Sequence, residues 1–273
     1  MSKKPLTRDE QFLAKAAGDD VPMPKPLTRV QEFLERIVER LSGSVTEETL
    51  SNAIAPLNAS IAQLSRKTIQ FRHGKGTFTA TATGTNVVWQ YGEQQAQGSN
   101  CTFDVKSDNG LICIDFDSIT SLTVSDDAAL KMCLSDLGGK ITNFLSLYGC
   151  TNVTGDLSDL GGKITNTLNL VSCTNITGDL SDLGGKITNI LSLGNCTNIT
   201  GIYTGTTYPK MFTVSRTSIT AADMDANLIN FAASGVKSGK FTAAGMKRTA
   251  ASDNAVATLV ANGWTVSGLT KEG

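Results

Sequence analysis

One histidine, six cysteines and a recurring set of aspartates are the side chains from which any chemistry in this 273-residue chain would have to be built. His73 stands in Arg72-His73-Gly74-Lys75-Gly76. A lone histidine among loop glycines is expected to face solvent, and one histidine leaves no ordinary Ser-His-Asp or Cys-His site. Cys150, Cys173 and Cys196 recur every 23 residues, and none has a second Cys or His two to four residues away, as a zinc site requires. They are expected to pack as small hydrophobes. Cys101 and Cys113 are the pair expected to be able to meet across adjacent strands. Asp136, Asp159 and Asp182 recur at the same period, as do Asp156 and Asp179. Paired carboxylates are what a glycan-cleaving enzyme uses, and stacked ones suit calcium. Lys140, Lys163 and Lys186 follow four residues after the first set, however, and are expected to balance it. No phosphate-cradling glycine loop leads into a helix. The expectation is a non-enzymatic protein with no cofactor and no metal.

The elements that would position such residues are three gapless copies of a 23-residue unit, starting at Leu134, Leu157 and Leu180, in which only six positions differ. A unit of that length has too few apolar residues to close a core alone, so neighbouring copies must bury their edges against each other. Four of the six variable positions fall between Phe144 and Gly149 and their equivalents. If Leu145 and Leu147 point inward, the residues alternating with them point outward. The candidate binding face is therefore Phe144, Ser146 and Tyr148, with Thr167, Asn169 and Val171, and Ile190, Ser192 and Asn195. Unconstrained outward positions would vary in the same way, and that alternative stays open.

The pattern LxLxxCxxIxGxLxxL resembles a leucine-rich repeat of the cysteine-containing kind, which implies short parallel strands at Leu145-Ser146-Leu147, Leu168-Asn169-Leu170 and Leu191-Ser192-Leu193. Asn152, Asn175 and Asn198 are expected to bond backbone groups where the coil turns, and Gly138-Gly139 and its equivalents to mark the opposite turn. Degenerate coils at Leu122-Thr123-Val124, with Asp127 at the cysteine position, and at Phe212-Thr213-Val214 flank the array. Five coils would make a platform about 24 Å long at the ~4.8 Å strand spacing.

The expected fold is mainly β with α, in five parts. Residues 1–43 are a helical assembly segment, because Lys4-Pro5-Leu6-Thr7-Arg8 returns as Lys25-Pro26-Leu27-Thr28-Arg29, each opening a capping box. This tandem unit resembles the N-terminal segment of bacteriophage and prophage fibre and tail-appendage proteins, which implies other virion proteins as partners. Residues 44–67 carry Leu50, Ile54, Leu57, Ile61 and Leu64 at heptad spacing. That seam suits a short stalk joining a homo-oligomer, expected to be a trimer; Pro56 favours the alternative of a kinked intramolecular helix. Residues 68–117 alternate as half-buried strands, and Trp89-Gln90-Tyr91-Gly92-Glu93 resembles the signature of PKD-like β-sandwiches. The leucine-rich-repeat solenoid occupies 118–219. An α/β cap follows over 220–273, with a helix from Thr220 through Ala233, a strand at 240–243, a helix at 252–262 and a strand at 264–266; its ending resembles the closing cap of phage and gut-bacterial repeat proteins.

The net charge of −1 offers no basic face for nucleic acid. No apolar run is long enough to insert in a membrane, and the first residues lack the apolar run of a secretory signal. Together the resemblances imply a virion protein made in the host cytoplasm, an appendage that binds a host cell-surface protein or glycan through the repeat face. The alternatives are a purely structural virion decoration and a bacterial surface adhesin.

Overall fold

The structure is a computed structural model and describes residues 67–272. The assembly segment expected over 1–43 and the stalk expected over 44–67, with Leu50, Ile54, Leu57, Ile61 and Leu64, lie outside the described residues, apart from Lys67, which opens the first strand.

The described chain is mostly β, with a few short helices and several sheets. It opens with β1 (Lys67–His73), β2 (Gly76–Thr85), β3 (Val88–Tyr91), β4 (Gln94–Gln97), β5 (Asn100–Val105) and β6 (Gly110–Phe116). Every second residue of β2, β5 and β6 faces inward, as the period of two predicts: Phe78, Ala80 and Ala82; Cys101, Phe103 and Val105; Ile112, Ile114 and Phe116. Gly92-Glu93 makes the tight turn between β3 and β4, with Gly92 at φ 57°. Trp89 is fully buried and donates its indole N–H to Gly98 O at 3.1 Å.

From β7 (Ser118–Thr123) and β8 (Leu130–Lys131) the chain enters the repeated units. Each unit runs helical turn, strand, turn, second strand. The first strands are β9 (Phe144–Ser146), β11 (Thr167–Asn169) and β13 (Ile190–Ser192); the second are β10 (Thr154–Asp156), β12 (Asn175–Asp179) and β14 (Asn198–Thr200). The helical turns are α1 (Leu134–Leu137) and the 3-10 turns Leu157–Leu160 and Leu180–Leu183. Equivalent first strands pair in parallel with a shift of one 23-residue unit, Leu145 against Leu168 against Leu191. They begin one residue earlier than expected and end at Ser146, Asn169 and Ser192, where the chain turns and Cys150 N donates to Leu147 O at 3.1 Å. The inward Leu, Ile and Cys positions of all three units are at most 3% exposed. At about 1.5–3 kcal/mol for each fully buried Leu or Ile, that shared interior is the main force holding the units in register.

After β15 (Met211–Thr213) come α2 (Ala221–Ala233), β16 (Lys240–Arg248), α3 (Asp253–Ala261) and β17 (Thr265–Lys271). Thr220 Oγ1 caps α2 by accepting from Asp223 N at 3.1 Å. Phe212, Phe231, Phe241 and Trp264 close the end of the core, with Phe231 set edge-on to Phe241 and to Trp264.

The sheets join what the periodicities separated. One nine-stranded sheet runs β17-β16-β15-β13-β11-β9-β7-β2-β5. β7 pairs antiparallel with β2 on one side and parallel with β9 on the other, so the change of period at 117–118 is not a break. A five-stranded sheet, β4-β3-β6-β1-β8, backs its antiparallel end, and β10-β12-β14 form a third sheet. Apolar burial is continuous from Ile69 to Trp264.

Candidate functional site

His73 is the first side chain the structure relocates. It is completely buried, because β1 continues through it and the alternation of Ile69, Phe71 and His73 turns it inward. Its Nε2 lies 3.0 and 3.1 Å from the two carboxylate oxygens of Asp127, and its Nδ1 lies 2.5 Å from Gly74 O. Asp127 also accepts from the backbone N–H groups of Ala129 and Leu130. The expected solvent-facing histidine is thus a buried pin between β1 and the turn before β8. Both of its nitrogens are engaged, by Gly74 O and by Asp127, among the described residues.

The cysteines are free thiols. Cys173 donates to Leu147 O at 3.0 Å and Cys196 to Leu170 O at 2.9 Å, each reaching back to the strand of the preceding unit. Burial pushes the thiols of Cys150 and Cys196 up to about 11 and about 12, which removes thiolate reactivity at neutral pH. Cys101 and Cys113 do not face one another. Cys101 lies opposite Ala80 in the nine-stranded sheet, whereas Cys113 lies opposite Gln70 and Gln90 in the five-stranded one.

Among the described residues the repeated aspartates form no ion pair with Lys140, Lys163 or Lys186. Asp159 Oδ2 accepts from Asp156 N at 2.9 Å and Asp182 Oδ2 from Asp179 N at 3.1 Å, while Asp156 and Asp179 accept from Ser158 N and Ser181 N. These are reciprocal caps on a helical turn. The turn stops at a left-handed glycine, Gly161 or Gly184, before a lysine can come round to the same face. Hydrogen bonds from the Ser158 amide and hydroxyl hold the Asp156 carboxyl below its ordinary value. The asparagine ladder also reaches backward: Asn175 Nδ2 donates to Thr151 O at 2.8 Å and Asn198 Nδ2 to Thr174 O at 3.1 Å. Among the described residues no group of three or more His, Cys, Asp or Glu side chains is arranged to hold a metal ion.

What remains is the outward face of the nine-stranded sheet. Phe144, Thr167, Ile190 and Met211 stand in one register row across β9, β11, β13 and β15. Tyr148, beyond the end of β9, is 42% exposed and Met211 37%. The expectation of an open face is corrected at three positions: Ser146, Thr167 and Ser192 are at most 8% exposed. Strands 4.8 Å apart leave little room, and these short side chains sit between longer ones; Ser146 follows Phe144 on β9 and precedes Tyr148 just past its end. Asn169, Val171, Phe144 and Ile190 are half-buried.

Asn195 belongs to the turn rather than the strand. It shares a left-handed backbone with Asp126, Gly149, Ser172 and Arg216 (φ 53–73°). Its side chain donates to Ser172 Oγ at 3.3 Å and accepts from Arg216 Nη1 at 3.3 Å. The Gly, Ser and Asn found at this position in the three units therefore vary within a turn.

The periodic reading overlooked how far this face extends. One transverse register row crosses all nine strands: Asn100, Thr81, Thr123, Ser146, Asn169, Ser192, Thr213, Thr242 and Ser267. Every member is Ser, Thr or Asn. The signal was present as an apolar–Ser/Thr/Asn–apolar triplet, such as Leu122-Thr123-Val124, Phe212-Thr213-Val214 and Phe241-Thr242-Ala243. Within the row, Thr81 Oγ1 donates to Asn100 Oδ1 at 2.9 Å, whereas Thr242 Oγ1 is buried with no hydrogen-bond partner among the described residues. α2 and α3 pack on the other side of the sheet, where Phe231 meets inward-facing Phe241 at 5.3 Å.

No family model, no curated protein and no solved structure matches the chain.

Proposed function

We propose that this chain is a non-enzymatic adhesion protein, a fibre-like or tail-associated appendage of a phage virion, that engages a host cell-surface protein or glycan with the outward face of its nine-stranded sheet. The observation that carries this reading is where the units differ: the interior changes only between Val153 and its equivalents Ile176 and Ile199, and the cap only at Ile202, while four of the six differing positions cluster at the end of the first strand, among them Phe144, Tyr148 and Ile190 on the outward side, with Met211 next in the row. Partly exposed aromatic residues are favoured anchors in recognition surfaces.

On this reading the stacked units are a leucine-rich-repeat solenoid of the cysteine-containing kind. In its support, the parallel strands repeat at a 23-residue shift and the thiols face the interior. Residues 1–43 attach the appendage to other virion proteins, and Leu50, Ile54, Leu57, Ile61 and Leu64 join chains into a homotrimer. Resemblance of the N-terminal tandem unit to phage fibre segments supports the first assignment, and the heptad spacing of Ile and Leu supports the second.

The test is retention of the full-length protein on envelope fractions from a panel of gut bacteria. Phe144→Ala with Tyr148→Ala should lower retention at least tenfold, and Lys163→Gln with Lys186→Gln should leave it intact. Asp159 is unsuitable as a control because its carboxylate caps a turn. Equal loss in both pairs moves the site elsewhere. Absence of retention for the unaltered protein on every fraction favours a purely structural decoration of the particle.

A further inference from the structure

Resting on that reading of the sheet face, we infer that its ligand is an uncharged polysaccharide chain lying across the strands, along the transverse row of hydroxyl and amide side chains. The row is continuous in register from β5 to β17 and spans three sequence contexts, the antiparallel strands, the repeats and the cap. Eight strand spacings of ~4.8 Å give a track about 38 Å long with one polar side chain per step. Serine and threonine hydroxyls and asparagine amides each both donate and accept hydrogen bonds. A polymer with hydroxyl groups on every unit presents the same mixed chemistry at regular intervals, and it can adjust its own hydroxyls to either role.

The flanks fit the same ligand. Ser146, the recessed last residue of β9, is flanked in sequence by Phe144 on that strand and by exposed Tyr148 just past its end, so a short polar floor has an aromatic residue on either side. Aromatic rings have apolar, electron-rich faces, suited to the C–H face of a sugar whose hydroxyls reach the floor.

Charge and polarity argue against other polymers. The row holds no Lys, Arg, Asp or Glu, and a nucleic acid or an anionic polysaccharide requires cations along its track. A protein interface concentrates its energy in a desolvated apolar centre, but the centre here is Ser146, Asn169 and Ser192.

The experiment uses the full-length protein and an envelope fraction that retains it. Periodate, which cleaves sugar diols, should abolish retention, and protease treatment should spare it. Polysaccharide extracted from that fraction is divided by anion exchange into neutral and acidic pools, and the neutral pool should compete while the acidic pool should not. Thr123→Val with Asn169→Leu and Thr213→Val removes polar atoms at near-constant volume and should weaken binding at least tenfold with an unchanged melting temperature. Should the triple variant unfold, the periodate and competition arms still decide. Retention that survives periodate and is lost to protease overturns the glycan assignment while leaving the sheet face as the site, and so does competition by the acidic pool alone. Retention unaffected by Phe144→Ala with Tyr148→Ala removes the underlying reading itself.

Discussion

The interior of each repeat is built from single residues that touch the preceding unit. The Cys173 thiol donates to Leu147 O, and its neighbourhood is sealed from water. Cys173→Asp would bury a carboxylate facing a carbonyl and is expected to cost several kcal/mol, while reductant should leave the wild-type melting temperature unchanged. A melting temperature that falls with reductant would contradict the free-thiol interior. Gly178 is the second such residue. It sits at φ 126°, and a Cβ there would lie 2.8 Å from Leu157 N and 2.9 Å from Leu157 Cβ. Gly178→Ala should therefore destabilise by about 2–3 kcal/mol through strain and clash. Gly161→Ala, at φ 57° with its nearest neighbour 3.9 Å away, should cost about 1–2 kcal/mol, for backbone conformation alone. Equal losses in thermal or denaturant unfolding would refute the close approach of adjacent units.

At the scale of elements, the cap turns on one buried carboxylate. Asp225 in α2 accepts from Thr249 N at 3.0 Å, Thr249 Oγ1 at 2.6 Å and Ser252 Oγ at 2.5 Å, tying the helix to the turn before α3. Burial alone would raise its pKa, but the hydrogen bonds from Ser252 and Thr249, with Arg248 nearby, outweigh that and hold it below the ordinary value. A depressed folded-state pKa contributes stability above the unfolded value of about 3.9, and the contribution is lost as pH falls through the lower folded value. Asp225→Ala should cost about 3 kcal/mol at neutral pH, since three donors lose a charged acceptor. The gap from wild type should narrow as pH falls below the ordinary carboxylate range, and a gap independent of pH would contradict the role. The cap elements themselves were readable, because Thr220, the apolar spacing of Met224, Leu228 and Phe231, and the Ala-rich run before Trp264 are local signals. The Asp225 network was not, because its partners lie 24 to 27 residues away.

Across residues 67–272 one nine-stranded sheet joins what the periodicities divided into sandwich, repeats and cap, and this part is expected to unfold as one body. The two tryptophans test this, with Trp89 in the antiparallel part and Trp264 in the cap. In single-tryptophan variants, Trp89→Phe and Trp264→Phe, the fluorescence midpoint in denaturant should coincide with that variant's far-ultraviolet circular dichroism midpoint. Separate midpoints would show that the cap and the antiparallel strands unfold apart, as long repeat arrays do. The order of β7 was visible in Leu122-Thr123-Val124, but its antiparallel partner β2 was not, since pairing across 33 to 42 residues leaves no local mark. For the same reason His73 was misplaced: its partner Asp127 lies 54 residues on. The proposed binding face was half visible, through variation among the units, and half hidden, because burial of Ser146, Thr167 and Ser192 depends on what neighbouring strands carry. The central claim, that this face is the one that meets the host, is tested most directly by photo-crosslinking. A photoreactive amino acid in place of Tyr148 should capture envelope material on illumination, and the same residue in place of Lys163, in a turn away from the sheet face, should capture none. Capture at Lys163 but not at Tyr148 would contradict the account.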